Sequence, residues 1–274
     1  AVVDVAMTST DHAVYLIDSN NAVRRYRAAP GAACALTLDP AFGTRGVSSE
    51  FGTPGMSGQL DHLTADARGH VYVSSMMRGT WRITGTHTDW HCAETRGRLT
   101  VSDDGRTGFA VSFNRAQRVT FTDTGCTVAP WTYQEPFTHT EVLNLVGNTV
   151  YVGGYNDNIT RIVTRPYGLN GAPSGPAFGR EGTWTPQAAC YPHELFMGSS
   201  GLAMQEGNCR NFFFLSPRQE VTGRVGQAAL FGLRYPWVTG VTAQPRQPAY
   251  VAVSQEIGQQ SHIYQGLVYR VTGL

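Results

Sequence analysis

The stretch His70-Val71-Tyr72-Val73-Ser74 contains the clearest copy of a strand motif that recurs along this chain of 274 residues. Each copy is a short apolar run, and the six copies have these central residues: Tyr15, Tyr72, Phe109, Tyr151, Ala203 and Tyr250. Successive centres lie about 57, 37, 42, 52 and 47 residues apart, and intervals of this size are typical of repeat proteins. Because Gly and Pro recur between the copies, the chain is predicted to consist of many short strands joined by tight turns.

A second strand follows most copies and opens with Arg before an apolar residue. The copies begin at Arg25, Arg82, Arg118, Arg161 and Arg270, with Arg210 as a degenerate sixth. A third repeated segment occurs as Asp39-Pro40-Ala41-Phe42-Gly43 and again as Gly175-Pro176-Ala177-Phe178-Gly179, about three repeats downstream. Each unit therefore predicts four antiparallel strands, which is the size of one propeller blade.

A sheet of this size cannot bury both of its faces alone, so the six units are expected to stack around a central axis. The predicted fold is all-β: a single six-bladed β-propeller domain of four-stranded antiparallel blades that spans residues 1–274. The blades are predicted near residues 1–46, 57–97, 98–137, 138–182, 189–232 and 235–274.

The alternation of the Val-Tyr-Val strand with the Arg-led strand resembles NHL-type six-bladed propellers. The segment Leu38-Asp39-Pro40-Ala41-Phe42-Gly43-Thr44-Arg45-Gly46 resembles the core of the delta-60 repeats found in large exported bacterial proteins. The first likeness covers most of the chain, and the second covers two blades. The resemblance implies a propeller architecture and a secreted or periplasmic bacterial protein, and it implies no particular activity.

Charge and motif content exclude several functions. The formal net charge is +1 and no basic residues form a stripe, so nucleic-acid binding is not expected. All 21 basic residues are Arg, which excludes Schiff-base chemistry on a lysine. No stretch approaches the roughly 18 apolar residues of a membrane helix, so membrane insertion is not expected either. The sequence also lacks a G-x-S-x-G elbow, an H-E-x-x-H pair, a phosphate loop and a dinucleotide fingerprint.

Five cysteines without a C-x-x-C pair indicate disulfides in an oxidising compartment rather than a zinc ribbon. Cys190 and Cys209 bracket one predicted hairpin with both ends on the same face, so a disulfide between them is expected. The other three fall in the outer strands of the first three blades, where neighbouring strands splay apart. The pairing of these three stays open: Cys34, Cys92 and Cys126.

In a propeller, the loops that lead into the innermost strands share one face with the loops that join the second and third strands. Ligands usually bind at this face, called the mouth face below. Alignment of the blades at a constant distance from the Val-Tyr-Val strand places His62, Glu141 and His193 in one register. Two imidazoles and a carboxylate suit Zn²⁺ or a similar divalent ion, with Glu194 as a general base. The alternative interpretation is that these are solvated channel residues bonded to neighbouring strands.

Further polar residues are predicted on the mouth face: Asp61, His139, Asn114, Asn156, Asp157, Glu206 and Glu256. Asn and Asp are common in turns because their side chains bond nearby backbone groups, and this role accounts for most of them. The functional alternative is a ring of acceptors that binds Ca²⁺ or a polar ligand such as a sugar.

The leading hypothesis is a non-enzymatic binding or scaffold propeller that engages a protein, glycan or surface partner through the mouth face. The second hypothesis is a metal-dependent hydrolase or lyase, similar to propeller lactonases, with its site at the central channel mouth. A carbohydrate-binding lectin is the third. It predicts equivalent pockets between blades, yet the aromatic positions do not repeat cleanly.

Overall fold

The computed structural model describes residues 2–28, 36–51, 59–112, 115–133, 139–155, 162–175, 192–198, 201–206, 211–215, 221–226, 236–242, 249–256 and 264–271. Within these ranges the regular secondary structure consists of 23 β-strands. No helix long and apolar enough to cross a membrane occurs in them.

The described strands form six antiparallel sheets, and each sheet is built from strands that are consecutive in sequence. Sheet 1 contains β1 (Val2–Met7), β2 (Ala13–Asp18), β3 (Val23–Ala28), β4 (Leu36–Leu38) and β5 (Val47–Ser48). Sheet 2 contains β6 (Leu60–Ala65), β7 (His70–Ser75), β8 (Gly79–Thr84) and β9 (His87–Cys92). Sheet 3 contains β10 (Arg98–Val101), β11 (Thr107–Ser112), β12 (Arg115–Phe121) and β13 (Cys126–Pro130).

The other three sheets continue the same pattern. Sheet 4 contains β14 (His139–Val146), β15 (Thr149–Tyr155) and β16 (Ile162–Gly168). Sheet 5 contains β17 (Pro192–Gly198), β18 (Gly201–Glu206), β19 (Asn211–Leu215) and β20 (Val221–Gly226). Sheet 6 contains β21 (Pro236–Thr242), β22 (Ala249–Glu256) and β23 (Tyr264–Val271).

The first strands of the six sheets form an inner ring. Strand β1 contacts β6, β6 contacts β10, and β10 contacts β14. In turn β14 contacts β17, β17 contacts β21, and β21 contacts β1. Antiparallel sheets stacked in a closed order around an axis are the arrangement of a β-propeller. The all-β propeller fold predicted from the repeats is therefore confirmed.

The repeated aromatic and Arg residues lie opposite each other on the second and third strands. The cross-strand pairs are Tyr15–Arg25, Tyr72–Arg82, Phe109–Arg118 and Tyr250–Arg270. Sheets 4 and 5 depart from this pattern, because Pro166 lies opposite Tyr151 and Phe214 lies opposite Ala203. Arg161 and Arg210 lie outside the described residues, so their places in the repeat stay a prediction.

The Asp-Pro-Ala-Phe-Gly segment of sheet 1 has a structural role. Arg25 is only 2% exposed and forms a buried ion pair with Asp39, while its Nε donates to Tyr15 Oη at 2.8 Å. Phe42 packs edge-on against the Tyr15 ring, with the ring centroids 5.7 Å apart. Gly43 has φ +52°, and a Cβ there would lie 2.3 Å from the Val47 carbonyl oxygen. A buried cation needs a paired anion, which explains why the motif begins with Asp.

Arg82 joins sheet 2 to sheet 3. Its Nε donates to Asp89 Oδ2 at 2.8 Å, and the guanidinium lies 5.0 Å from the centre of the Trp90 ring. The two remaining nitrogens donate to the carbonyl oxygens of Thr122 and Asp123, in the turn between β12 and β13. The five-donor fork of an Arg side chain suits this bridging role, which a Lys could not fill.

The hydrophobic core lies between neighbouring sheets. One cluster joins sheets 1 and 2 and includes Tyr15, Phe42, Phe51, Leu60 and Trp81. A second joins sheets 2 and 3 and includes Tyr72, Trp90, Leu99 and Phe121. A third joins sheets 3 and 4 and includes Phe109, Trp131, Val150 and Tyr167. Among sheets 1 to 4, each sheet thus stabilises its neighbour, as expected for a repeat that is not stable alone.

A disulfide links Cys92, the last residue of β9, to Cys126, the first residue of β13. The pairing of Cys92, which the sequence left open, is thus with Cys126 on the outer strand of the neighbouring sheet, and the two Cα atoms are 5.9 Å apart. The loop after β9 is bonded to β12 of the next sheet, because the Gln117 side chain donates to the Glu94 carbonyl oxygen and accepts the N–H of Arg96. The predicted Cys190–Cys209 disulfide and Cys34 lie outside the described residues.

Candidate functional site

The inner strands are irregular close to their first residues. A β-bulge occurs at Val3, Asp61, Glu141, His193 and Thr239. In sheet 3 the described pairing begins at Arg98, directly after Gly97 with φ +89°. A bulge re-aims side chains and is over-represented beside functional sites. The end of the ring at which the inner strands begin is therefore the candidate site.

The strand pairing corrects the register that the sequence predicted. Asp61, Glu141 and His193 occupy the bulge position. His62 lies one residue further along, in line with Asp4. The turn between the first two strands contains residues 8–12 in sheet 1, 66–69 in sheet 2 and 147–148 in sheet 4. Because these turns differ in length, a constant distance from the Val-Tyr-Val strand does not identify equivalent residues.

Two adjacent positions in each inner strand carry a high proportion of ionisable residues. The bulge position and its equivalent in β10 contain Val3, Asp61, Gly97, Glu141, His193 and Thr239. The next position contains Asp4, His62, Arg98, Val142, Glu194 and Gly240. Seven of these twelve residues are ionisable, and they differ from sheet to sheet while the scaffold positions repeat. The strand starts therefore carry different residues in each sheet and do not repeat one position six times.

Asp4 connects the first two sheets at this position. Its Oδ1 accepts the N–H of Val5 at 2.8 Å, and its Oδ2 accepts the N–H of Leu63 at 2.7 Å. His62 Nδ1 lies 2.6 Å from the same Oδ2, and both side chains are buried. Nδ1 is within ion-pair distance of the carboxylate without the alignment of a hydrogen bond, so Nε2 is the ring nitrogen that suits a further partner.

Asp61 supports the turn between β7 and β8. Its Oδ2 accepts the N–H of Met76 at 2.6 Å. Burial raises the pKa of the Asp61 carboxyl group, although the Met76 hydrogen bond and the charges of Arg98 and His62 act in the opposite direction. Two carboxylates, an imidazole and a guanidinium thus lie where sheets 1, 2 and 3 meet. This group is called the mouth cluster below and contains Asp4, Asp61, His62 and Arg98. A raised carboxyl pKa in a polar cluster is a common property of functional sites.

The remaining predicted site residues divide into two groups. The backbones of one group lie in the described inner or second strands: His139, Glu141, His193, Glu194, Glu206 and Glu256. The other group lies outside the described residues: Asn114, Asn156 and Asp157. The structure therefore brings together Asp61 and His62 from the predicted set, and the assignment of Glu141, His193 and Glu194 stays a prediction.

A metal site requires several His, Cys, Asp or Glu ligand atoms close together, and the described side chains contain such a group. One group of three His, Cys, Asp or Glu residues has its ligand atoms within 4.8 Å of one another, namely Cys92, Glu94 and Cys126. Cys92 ends β9, Glu94 lies in the loop that follows, and Cys126 begins β13, so the group shares no residue with the mouth cluster. A metal centre at the mouth would therefore require side chains beyond the described ones, such as Glu141 and His193.

Sequence reasoning did not assign Asp4 and Arg98 to the site. The signal for Asp4 is a lone charge inside the apolar run Val2-Val3-Asp4-Val5-Ala6, since a buried carboxylate requires hydrogen-bond partners. Arg98 has no comparable signal, because charged residues at strand starts are common.

No family model and no curated protein matches the chain. Among solved structures, the chain is similar to the calcium-binding protein regucalcin from Agrobacterium tumefaciens. The TM-score is 0.53 at 9% identity, and the match covers 95% of this chain and 83% of regucalcin. A chain in the nidogen/laminin complex is similar with a TM-score of 0.54 at 14% identity, covering 85% of this chain and 84% of that one. At these identities the likeness concerns the fold alone, and it agrees with the closed ring of sheets: the chain is an all-β propeller.

Proposed function

We propose that this protein is a binding propeller that engages a protein, glycan or surface partner outside the cytoplasm through its mouth face. The observation that supports this proposal is the contrast between repeated scaffold residues and non-repeated mouth residues. The buried pairs Tyr15–Arg25 and Tyr72–Arg82 stabilise sheets 1 and 2, whereas the seven ionisable residues at the strand starts follow no repeat. A rigid scaffold with variable residues at one end is typical of binding folds.

The turn between β7 and β8 adds to this surface. Met77 is 59% exposed, and Arg78 lies beside it. The turn is held in place because Ser75 Oγ accepts the N–H groups of Met77 and Arg78, and Asp61 accepts that of Met76. Met and Arg are both enriched in protein interfaces, and a pre-organised turn loses little entropy on binding.

A matched pair of variants tests this proposal. Met77→Asp changes an exposed side chain on the mouth face, and Arg106→Asp changes an exposed side chain in the turn at the other end of the ring. Each protein is immobilised and exposed to extracellular extracts of the source organism and to a glycan array. We expect ligands bound by the wild type to be kept by Arg106→Asp and reduced at least about tenfold by Met77→Asp. Equal retention by both variants, or loss in Arg106→Asp alone, would show that the mouth face is not used.

A metal-dependent hydrolase or lyase is a second candidate, favoured by the position of Asp4 beside His62 Nδ1. Metal-ligating histidines commonly have a carboxylate at the other ring nitrogen, so His62 Nε2 suits a Zn²⁺ ligand. Glu141 and His193 would supply the remaining ligands, and Glu194 would serve as general base. A bound ion of this class would activate a water molecule or polarise a carbonyl group. Ca²⁺ fits the donor set less well, since it binds through oxygen atoms.

Elemental analysis distinguishes the two candidates. The protein is purified without added metal or nickel resin, alongside the His62→Ala variant. About one transition-metal ion per chain that is lost in His62→Ala would support the enzyme and justify screening of ester and lactone substrates. Equal metal content in both samples, including none, would exclude His62 as a ligand and leave the binding proposal.

A further inference from the structure

The disulfide between sheets 2 and 3 lies beside a carboxylate. Glu94 follows Cys92 by two residues, in the loop between β9 and β10. Its Oε2 lies 3.9 Å from Cys92 Sγ and 4.0 Å from Cys126 Sγ. Two sulfur atoms and one carboxylate oxygen thus lie close together. Their residues come from the end of sheet 2, the loop that follows it, and sheet 3.

Hydrogen bonds hold the loop that carries Glu94. The Gln117 side chain, on β12, donates to the Glu94 carbonyl oxygen at 3.3 Å and accepts the N–H of Arg96 at 3.1 Å. Thr95 Oγ1 donates to the Cys92 carbonyl oxygen at 2.8 Å. The position of the carboxylate therefore does not depend on the disulfide alone, because the loop is bonded to sheet 3 independently.

Access to this point differs between the two sulfur atoms. Cys92 is 2% exposed, whereas Cys126 is partly exposed. Cys126 and Glu94 line a groove of about 780 Å³ that also contains Arg115 and Trp131. The groove gives an ion, a water molecule or a reductant a route to the Cys126 sulfur.

The distances fit the geometry of a bound ion. Ligand atoms about 2.0 to 2.3 Å from a tetrahedral Zn²⁺ are roughly 3.5 Å apart, close to the sulfur–oxygen distances of 3.9 and 4.0 Å. The two sulfur atoms must separate once their bond is broken, which rotation about χ1 of either Cys permits. Two thiolates, one carboxylate and one water molecule would complete four-coordination.

We propose that the reduced form of Cys92 and Cys126, together with Glu94, binds a divalent ion of the zinc class. A phosphine or dithiol reductant supplies two electrons to the disulfide, and two thiols form on uptake of two protons. Binding of the ion releases those two protons, because thiolates are the ligands. Reoxidation by a small disulfide returns the two electrons to the oxidant, re-forms the Cys92–Cys126 bond and releases the ion. The site is separate from the mouth cluster and does not depend on the proposed binding function.

Cobalt titration of the full chain tests the proposal. The background variant carries Cys34→Ser, Cys190→Ser and Cys209→Ser, so that the only remaining thiols belong to the proposed site. After phosphine reduction and anaerobic desalting, the protein is titrated with Co²⁺, which reports sulfur ligation through a thiolate-to-cobalt charge-transfer band. We expect one Co²⁺ per chain with this band, displaced by Zn²⁺, and none in the oxidised protein.

The Glu94→Gln variant keeps both thiols and changes only the carboxylate. We expect at least about tenfold weaker binding in it, while Arg115→Gln, which removes a groove residue that is not a ligand, keeps the affinity within about threefold. Far-ultraviolet circular dichroism of each reduced protein shows whether the fold is retained. Reduced, folded background protein without the charge-transfer band would overturn the proposal. Equal Co²⁺ affinity of the Glu94→Gln variant and the background protein would show that Glu94 is not a ligand. The proposed site of two thiolates and one carboxylate would then be wrong.

Discussion

Replacement of Asp4 with alanine is expected to destabilise the protein far more than replacement of its neighbour His62. The Asp4 carboxylate accepts two buried backbone N–H groups, one from Val5 in its own strand and one from Leu63 in the next sheet. His62 lies against the same carboxylate but holds neither N–H group. Removal of Asp4 therefore leaves two donors without an acceptor, whereas removal of His62 leaves both bonds intact.

The magnitude follows from these two bonds. A buried donor that loses its acceptor costs about 1 to 3 kcal/mol, so Asp4→Ala should lower the free energy of unfolding by about 2 to 6 kcal/mol. His62→Ala should cost about 1 kcal/mol, the usual effect of a point substitution. Asp4→Asn should fall between them, because an amide oxygen can accept one N–H while the amide nitrogen faces the other.

Urea unfolding followed by tryptophan fluorescence measures these values, and unchanged m-values would show that the same transition is compared. The double variant Asp4→Ala with His62→Ala completes a mutant cycle that isolates the interaction between the two side chains. If His62→Ala proves as costly as Asp4→Ala, the backbone bonds of Asp4 do not hold the two sheets together. The two N–H groups that Asp4 accepts would then not account for the cost of Asp4→Ala.

Three other perturbations have defined outcomes. Burial raises the pKa of Asp61, so the folded protein binds the proton of this carboxyl group more tightly than the unfolded chain does. The free energy of unfolding therefore falls as the pH rises from the ordinary aspartate pKa through the raised one. Asp61→Asn, which can still accept the Met76 N–H, should therefore melt at the same temperature as the wild type in acid and higher near neutral pH; a lower melting temperature at every pH would contradict this. Cys126→Ser removes the disulfide between two residues that are 34 apart in sequence, and urea unfolding under oxidising conditions should show a loss of about 4 kcal/mol in the free energy of unfolding. An unchanged midpoint would show that the disulfide does not constrain the unfolded chain. Phe42→Ala should cost about 3 to 5 kcal/mol, since Phe42 is 1% exposed, and calorimetry that finds under about 1 kcal/mol would mean that the motif packs differently.

The fold could be predicted because its stabilising residues repeat. In sheets 1 and 2 the aromatic centre of the second strand and the Arg opposite it are both buried, and the same cross-strand pairing recurs in sheets 3 and 6. Sheet 4 shows the limit of this reasoning. Pro166 takes the place opposite Tyr151, and Arg161, the residue that the repeat pattern selected, lies outside the described residues.

The site was less predictable because its residues do not repeat and their register depends on turn length. His62 was grouped with Glu141 and His193, but the four-residue turn of sheet 2 and the two-residue turn of sheet 4 shift their positions by one. Bulges have no residue signature of their own, so pairing alone reveals them. The Cys92–Cys126 link escaped prediction for a similar reason, since it depends on where the chain crosses between sheets.

The bulges in the inner strands have a consequence for how such a protein can evolve. Strand pairing has a period of two, so one inserted residue would ordinarily turn every later side chain to the opposite face. A bulge accommodates the additional residue locally, and the pairing beyond it continues undisturbed, as Thr64 opposite Tyr72 shows in sheet 2. Single-residue insertions and deletions at the strand starts can therefore exchange the chemistry of the mouth while the core keeps its partners. Ligand specificity and folding stability are in this way open to separate selection in one chain.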